Sequence, residues 1–85
     1  MSPGALAGYA VLVTGGGTGI GRACAARLAA DGAAVTICGR TEERLADAVE
    51  RIGKAAAHGG GARYVVADVT REDDVARVVA SATEA

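Results

Sequence analysis

Phenylalanine and tryptophan are missing from this chain, tyrosine occurs only as Tyr9 and Tyr64, and proline occurs once. A core without large aromatics has to be assembled from Val, Ile, Leu and Ala. Excess charge of either sign is also missing: nine basic residues face ten acidic ones, for a net charge of −1. That balance excludes a nucleic-acid surface and a polybasic membrane patch. No apolar run approaches the ~20 residues that cross a bilayer. Met1 to Gly8 lacks the basic and long apolar regions of a signal peptide. Cysteine is scarce as well. Cys24 and Cys38 match no zinc or redox spacing and are expected as free, buried thiols, in keeping with a cytoplasmic protein. His58 stands alone beside Gly59-Gly60-Gly61, so no metal site is expected. With 85 residues the chain is at most one small domain, of marginal stability by itself.

Glycine, by contrast, is plentiful, and one group of glycines is placed with purpose. Thr14-Gly15-Gly16-Gly17-Thr18-Gly19-Ile20-Gly21 follows the apolar run Ala10–Val13. It leads into a segment of strong helix formers ending near Ala30. The glycines therefore sit where a strand becomes a helix. Backbone amides and the positive end of the helix dipole converge there, which suits an anionic ligand. Gly15 would let the chain turn off the strand, Gly19 would let a pyrophosphate approach the backbone, and Gly21 would let the helix lie close to the strand. A plain tight turn is the alternative. A triphosphate loop shares the spacing Gly16-x-x-x-x-Gly21, but requires Lys and then Ser or Thr. Arg22-Ala23 stands there instead, and alanine cannot ligate Mg²⁺.

The rest of the chain repeats the alternation. Strand one is read over 9–14, without alternation of polarity, as expected for burial on both faces. Helix one runs from about Gly19 to Ala30, with Ile20, Cys24 and Leu28 as its buried seam. Strand two is Ala34–Cys38. Thr41 is placed to cap helix two, whose buried stripe is Leu45, Val49 and Ile52. Strand three is Ala62–Ala67. Thr70 and Asp73 have the spacing of a capping pair for a third helix starting near Arg71, with Val75, Val78, Val79 and Ala82 on one face. Strands alternating with helices imply right-handed crossovers and a parallel sheet.

Taken together, Thr14-Gly15-x-x-x-Gly19-Ile20-Gly21, Gly39-Arg40 after strand two and Asp68-Val69 after strand three resemble the short-chain dehydrogenase/reductase family. Leu6-x-Gly8 ahead of strand one adds to the likeness, which extends to Ala85. The resemblance implies an α/β Rossmann-type doubly wound parallel sheet, here cut to β-α-β-α-β-α in strand order 3-2-1, with residues 1–85 a partial dinucleotide-binding domain. It implies that Thr18, Gly19 and Ile20 hold the pyrophosphate and adjacent ribose. Asp68 would accept from the adenine amino group and Val69 would pack near the ring, the alternative for Asp68 being a turn or cap residue.

Position 39 bears on which dinucleotide is bound. A carboxylate at the end of strand two grips the ribose hydroxyls of NAD. Gly39 has none, while Arg40 can make a charge-assisted contact to a phosphate and Thr41 can add a hydroxyl. NADP is therefore expected, with NAD possible, and a solvated Arg40 is the alternative. The family's catalytic Ser and Tyr-x-x-x-Lys have no match: four residues beyond Tyr9 and Tyr64 lie Val13 and Asp68, and Lys54 is the only lysine. No catalytic residue is assigned. The chain reads as the cofactor-binding part of an oxidoreductase acting on a carbonyl or alcohol. A fragment without ligand is the other reading. An open edge on strand one and a sheet face covered by helix three alone would leave the chain poorly folded or self-associating.

Overall fold

The computed structural model describes residues 4–15 and 19–84. Six elements follow in strict alternation: β1 (Ala10–Thr14), α1 (Gly19–Ala30), β2 (Ala34–Gly39), α2 (Glu42–Ala55), β3 (Gly61–Val66) and α3 (Glu72–Glu84). Every predicted element is present, with ends displaced by a residue or so, where caps and fraying govern.

The strands pair in parallel with β2 in the middle, the predicted 3-2-1 order. Rows across the sheet run Ala10–Ala34–Gly61, Leu12–Thr36–Arg63 and Thr14–Cys38–Val65. β2 is central because both of its faces are apolar and largely β-branched; Val35 through Cys38 are all buried. Successive side chains go to opposite faces. Val35 and Ile37 meet Ala25 and Ala29 of α1 and Leu45, Ala48 and Ile52 of α2. Cys38 goes to the other face, with Val78 of α3 and Ala67. Helices therefore cover both faces, and β1 has a neighbour on one side only.

Three expectations need correction. Ala25 and Ala29, both fully buried, form the seam of α1, with Leu28 packed partly against the same core as expected, whereas Ile20 is 83% exposed and Cys24 is exposed. Adjacent helical positions differ by about 100° in direction, and α1 turns its smallest side chains to the sheet so that the backbones come close. On α3, Val78 and Ala82 are buried while Val75 and Val79 remain 40% and 48% exposed. The helix packs on the sheet through Val78, against Cys38 and Ala67 with Val65 beside them, and Arg77 donates to the Val66 carbonyl at 2.7 Å, while Val75 and Val79 stay outside that cluster. Finally, Thr70 does not pair with Asp73. Its hydroxyl donates to Asp68 Oδ1 at 2.6 Å, while Asp74 Oδ2 accepts from the Asp68 amide at 2.8 Å. A side chain two residues away is a closer partner than one across the first helical turn.

Candidate functional site

Because the three strands are parallel, the loops that leave β1, β2 and β3 emerge along one edge of the sheet. Ligands of open α/β sheets bind at that edge. The first loop starts with Gly15, whose φ of +69° suits glycine and whose amide donates to the Cys38 carbonyl at 3.0 Å. That bond ties the β1 loop to the end of β2. Gly19, at φ +59°, opens α1, and a Cβ built on it meets nothing within 4 Å among the described residues. The helix N-terminus thus has an uncovered backbone at its first residue, the condition for close approach by an anion. Gly21 lies one position beyond Ile20 in the same turn. Thr18, with Gly16 and Gly17, lies outside the described residues.

The second loop builds a concave site. A cavity of ≈130 Å³ is lined by Gly15, Cys38, Gly39, Arg40, Thr41, Arg44 and Leu45. Glycine at 39 is not required by the backbone, which is extended there. A Cβ would sit 3.4 Å from Leu45 Cδ2, an ordinary contact. The missing side chain leaves the end of β2 without a carboxylate. Thr41 occupies the N-cap position of α2 with φ −110° and ψ 103°, but its hydroxyl makes no capping bond. The hydroxyl is thus left for another acceptor. Arg44, in the first turn of α2, lines the same cavity as Arg40. Nothing in the sequence singled out Arg44: Arg40 precedes the helix, so helical spacing does not relate the two, and only the cavity brings them together.

The third loop completes the edge. A second cavity, ≈270 Å³, is lined by Gly15, Cys38, Gly39, Arg40, Ala67, Asp68, Val69 and Thr70. The Asp68 carboxylate receives the Thr70 hydroxyl and, at 2.9 Å, the Thr70 amide, both on Oδ1. These bonds, the hydroxyl's first, hold its pKa below the usual aspartate value, with smaller help from the Arg40 and Arg71 charges. Asp68 is both a turn residue and an ionised group at the cavity wall. Val69 is 48% exposed beside it, an apolar surface at the same opening. Asp74 is likewise held below its usual value, chiefly by the Asp68 amide and next by Arg77.

Gly15, Arg40, Thr41, Asp68 and Val69 are therefore gathered around two adjoining cavities. Ile20 is not among them: its side chain lies on an open apolar face of α1 with Ala23, Cys24, Arg27 and Leu28. Burial raises the pKa of Cys38, which sits behind the cavity floor. Among the described residues no group of three or more His, Cys, Asp or Glu side chains is placed to hold a metal ion. No helix among them is long and apolar enough to cross a membrane.

Comparison with known proteins bears on the family and the fold. The sequence profile of the short chain dehydrogenase family matches residues 9–85. An A-factor type gamma-butyrolactone 1′-reductase of Streptomyces virginiae is 48% identical over 68 residues, which are 80% of this chain and 25% of the reductase. A glucose 1-dehydrogenase of Gluconobacter oxydans is 43% identical over 79 residues, 93% of this chain and 29% of that enzyme. Among solved structures, a short-chain type dehydrogenase/reductase from Mycobacterium ulcerans superposes with a TM-score of 0.89 at 46% identity. The match covers 93% of this chain and 29% of that one. The chain spans less than a third of the length of these relatives.

Proposed function

The chain belongs to the short-chain dehydrogenase family, and from that membership we propose that it is the NADP(H)-binding part of an oxidoreductase acting on a carbonyl or alcohol. Bound NADP(H) supplies the hydride chemistry, and the protein supplies grip and orientation. The turn Gly15–Gly21, with Thr18, Gly19 and Ile20 at its centre, holds the pyrophosphate on the N-terminus of α1 and contacts the adjoining ribose. Asp68 accepts from the adenine amino group through its second oxygen, Oδ1 being engaged by Thr70. Val69 packs on the adenine ring. Arg40 and the uncapped Thr41 hydroxyl hold the 2′-phosphate, and Gly39 keeps a repelling carboxylate away from it. The observation that carries this reading is the cavity in which Arg40 and Thr41 meet a β2 terminus with no side chain. A substrate pocket and the hydride-transfer machinery belong to the full-length enzyme, in a cytoplasmic setting that keeps both thiols reduced.

The test is binding of NADPH and NADH to the protein as encoded in full, before and after Arg40→Ala. The wild type binds NADPH more tightly, and the substitution weakens NADPH by about tenfold while sparing NADH. A preference that survives the substitution removes Arg40 from the site. An absence of any NADPH-dependent stabilisation instead favours a fragment without ligand. Retention of ATP with Mg²⁺ in place of NADPH returns the choice to a triphosphate loop.

A further inference from the structure

The cavity at the end of β2 is lined by two guanidinium-bearing residues. Arg40 closes the turn after the strand and Arg44 lies in the first turn of α2, and both face the same ≈130 Å³ space. Glu42 and Glu43 occupy the positions between them, yet neither lines that cavity or the adjoining one. The ion pairs among the described residues engage Arg27, Arg51, Lys54 and Arg77 and leave Arg40 and Arg44 out. Among the described residues no carboxylate lines that cavity, and the Asp68 carboxylate that feels the Arg40 charge lines the adjoining one, so an anion in the space between Arg40 and Arg44 would meet two positive residues.

Charge over this short segment argues the same way. Two arginines and two glutamates sum to zero across residues 40–44. Without Arg44 the sum becomes negative, and a doubly charged phosphate would meet Arg40 inside the field of two carboxylates. With both arginines the acidic pair is offset, and the glutamates remain free to favour the N-terminus of α2.

We infer that Arg44 is a specificity-determining residue of this site, its guanidinium sharing the 2′-phosphate of the dinucleotide with Arg40. This rests on the NADP(H) reading and adds to it a second donor, from the helix where Arg40 comes from the loop. One phosphate held from two directions is fixed in position as well as attracted. Discrimination against a bare 2′-hydroxyl then depends on both residues.

The experiment uses the protein as encoded in full, with 2′,5′-ADP and 5′-AMP as probes in calorimetric titrations. These ligands differ only in the 2′-phosphate. Arg44→Ala is expected to weaken 2′,5′-ADP by about tenfold and leave 5′-AMP within about twofold. Arg44→Lys, which keeps the charge and loses the fork, restores part of the loss. Combined with Arg40→Ala, the effects are less than additive, because both groups hold one phosphate. Arg44→Gln keeps most of the side chain's packing, so a matching loss there excludes a folding defect. An unchanged ratio of the two affinities in Arg44→Ala and Arg44→Gln, or an equal loss for both probes, overturns the role of Arg44. If the wild type binds both probes alike, the NADP(H) reading itself fails. If the wild type and Arg40→Ala behave as proposed while Arg44→Ala is silent, only the second donor is lost.

Discussion

Placing a carboxylate at the end of β2 tests the cofactor reading most directly, and Gly39→Asp is the substitution that does it. The fold should accept it. Gly39 does not have a left-handed backbone, its new Cβ meets Leu45 Cδ2 at 3.4 Å, and its carbonyl keeps the bond from the Ala67 amide at 2.8 Å. The thermal midpoint should therefore move little. Binding should move a great deal. At about 5 Å and an effective dielectric of about 20, two unit charges repel by roughly 3 kcal/mol. The cavity opens to solvent, where ionic screening leaves a net penalty of about 1.5–3 kcal/mol. The new carboxylate also neutralises Arg40 beside it. NADPH affinity should fall by about ten- to a hundredfold. NADH should gain, because a charged acceptor to the ribose hydroxyls contributes about 1.5 kcal/mol or more. The assay is titration of both reduced cofactors into wild type and variant, with a melt of each to verify folding. If a well-folded variant still prefers NADPH by the wild-type margin, the end of β2 does not face the 2′ position and the site has been placed wrongly.

Two further outcomes follow from the same geometry. The Thr70 hydroxyl bond is the main cause of the lowered Asp68 pKa. A carboxyl group lowered on folding adds stability that is present above its unfolded pKa and is lost as pH falls through the folded value. Thr70→Val should raise the Asp68 titration, followed by carboxyl NMR, part of the way to about 3.9, the amide bond still holding it down. A curve unmoved by the substitution would contradict the bond. The 85-residue chain by itself should associate through the open α1 face, where Ile20 is 83% exposed. Sedimentation should show mass rising with concentration, and Ile20→Lys should reduce it. A monomer at every concentration would count against that surface.

The parallel sheet was legible in the alternation of strands and helices, while its strand order came from the family resemblance, and the apolar, largely β-branched β2 takes the central place. The loops were legible for a related reason. Gly15, Gly39-Arg40 and Asp68-Val69 each follow an apolar run directly, so parallel strands had to bring them to one edge. What escaped was anything decided by choosing between equivalent residues. In the β3 loop, Asp68 is as suitable for a turn as for a ligand, and it serves the turn through Oδ1 whatever else it does. In α2, an exposed arginine is ordinary on a helix surface. Only the cavity wall separates Arg44 from Arg51, which pairs with Asp47 at 3.1 Å.

Helix α1 shows the limit most sharply. Ile20, Cys24 and Leu28 form one apolar stripe and Ala25 and Ala29 another, one residue around. Ranking by size picks the first, since larger side chains release more free energy on burial. The sheet takes the second. An alanine face lets the helix backbone lie near β2, and the N-terminus of α1 lies at the sheet edge where the β2 and β3 loops form their cavities. Leu28 adds a partial contact to that core, and replacing the alanines by larger side chains would lift α1 off the sheet and carry the Gly19 amide out of line with that edge. On this reading the small residues set where the N-terminus of α1 lies, while Ile20, 83% exposed, remains available for association. A substitution such as Ala25→Leu should accordingly weaken NADPH binding, although position 25 lies well along the helix from Gly19. Unchanged NADPH affinity in a folded Ala25→Leu protein would show that the helix seat does not set the phosphate geometry.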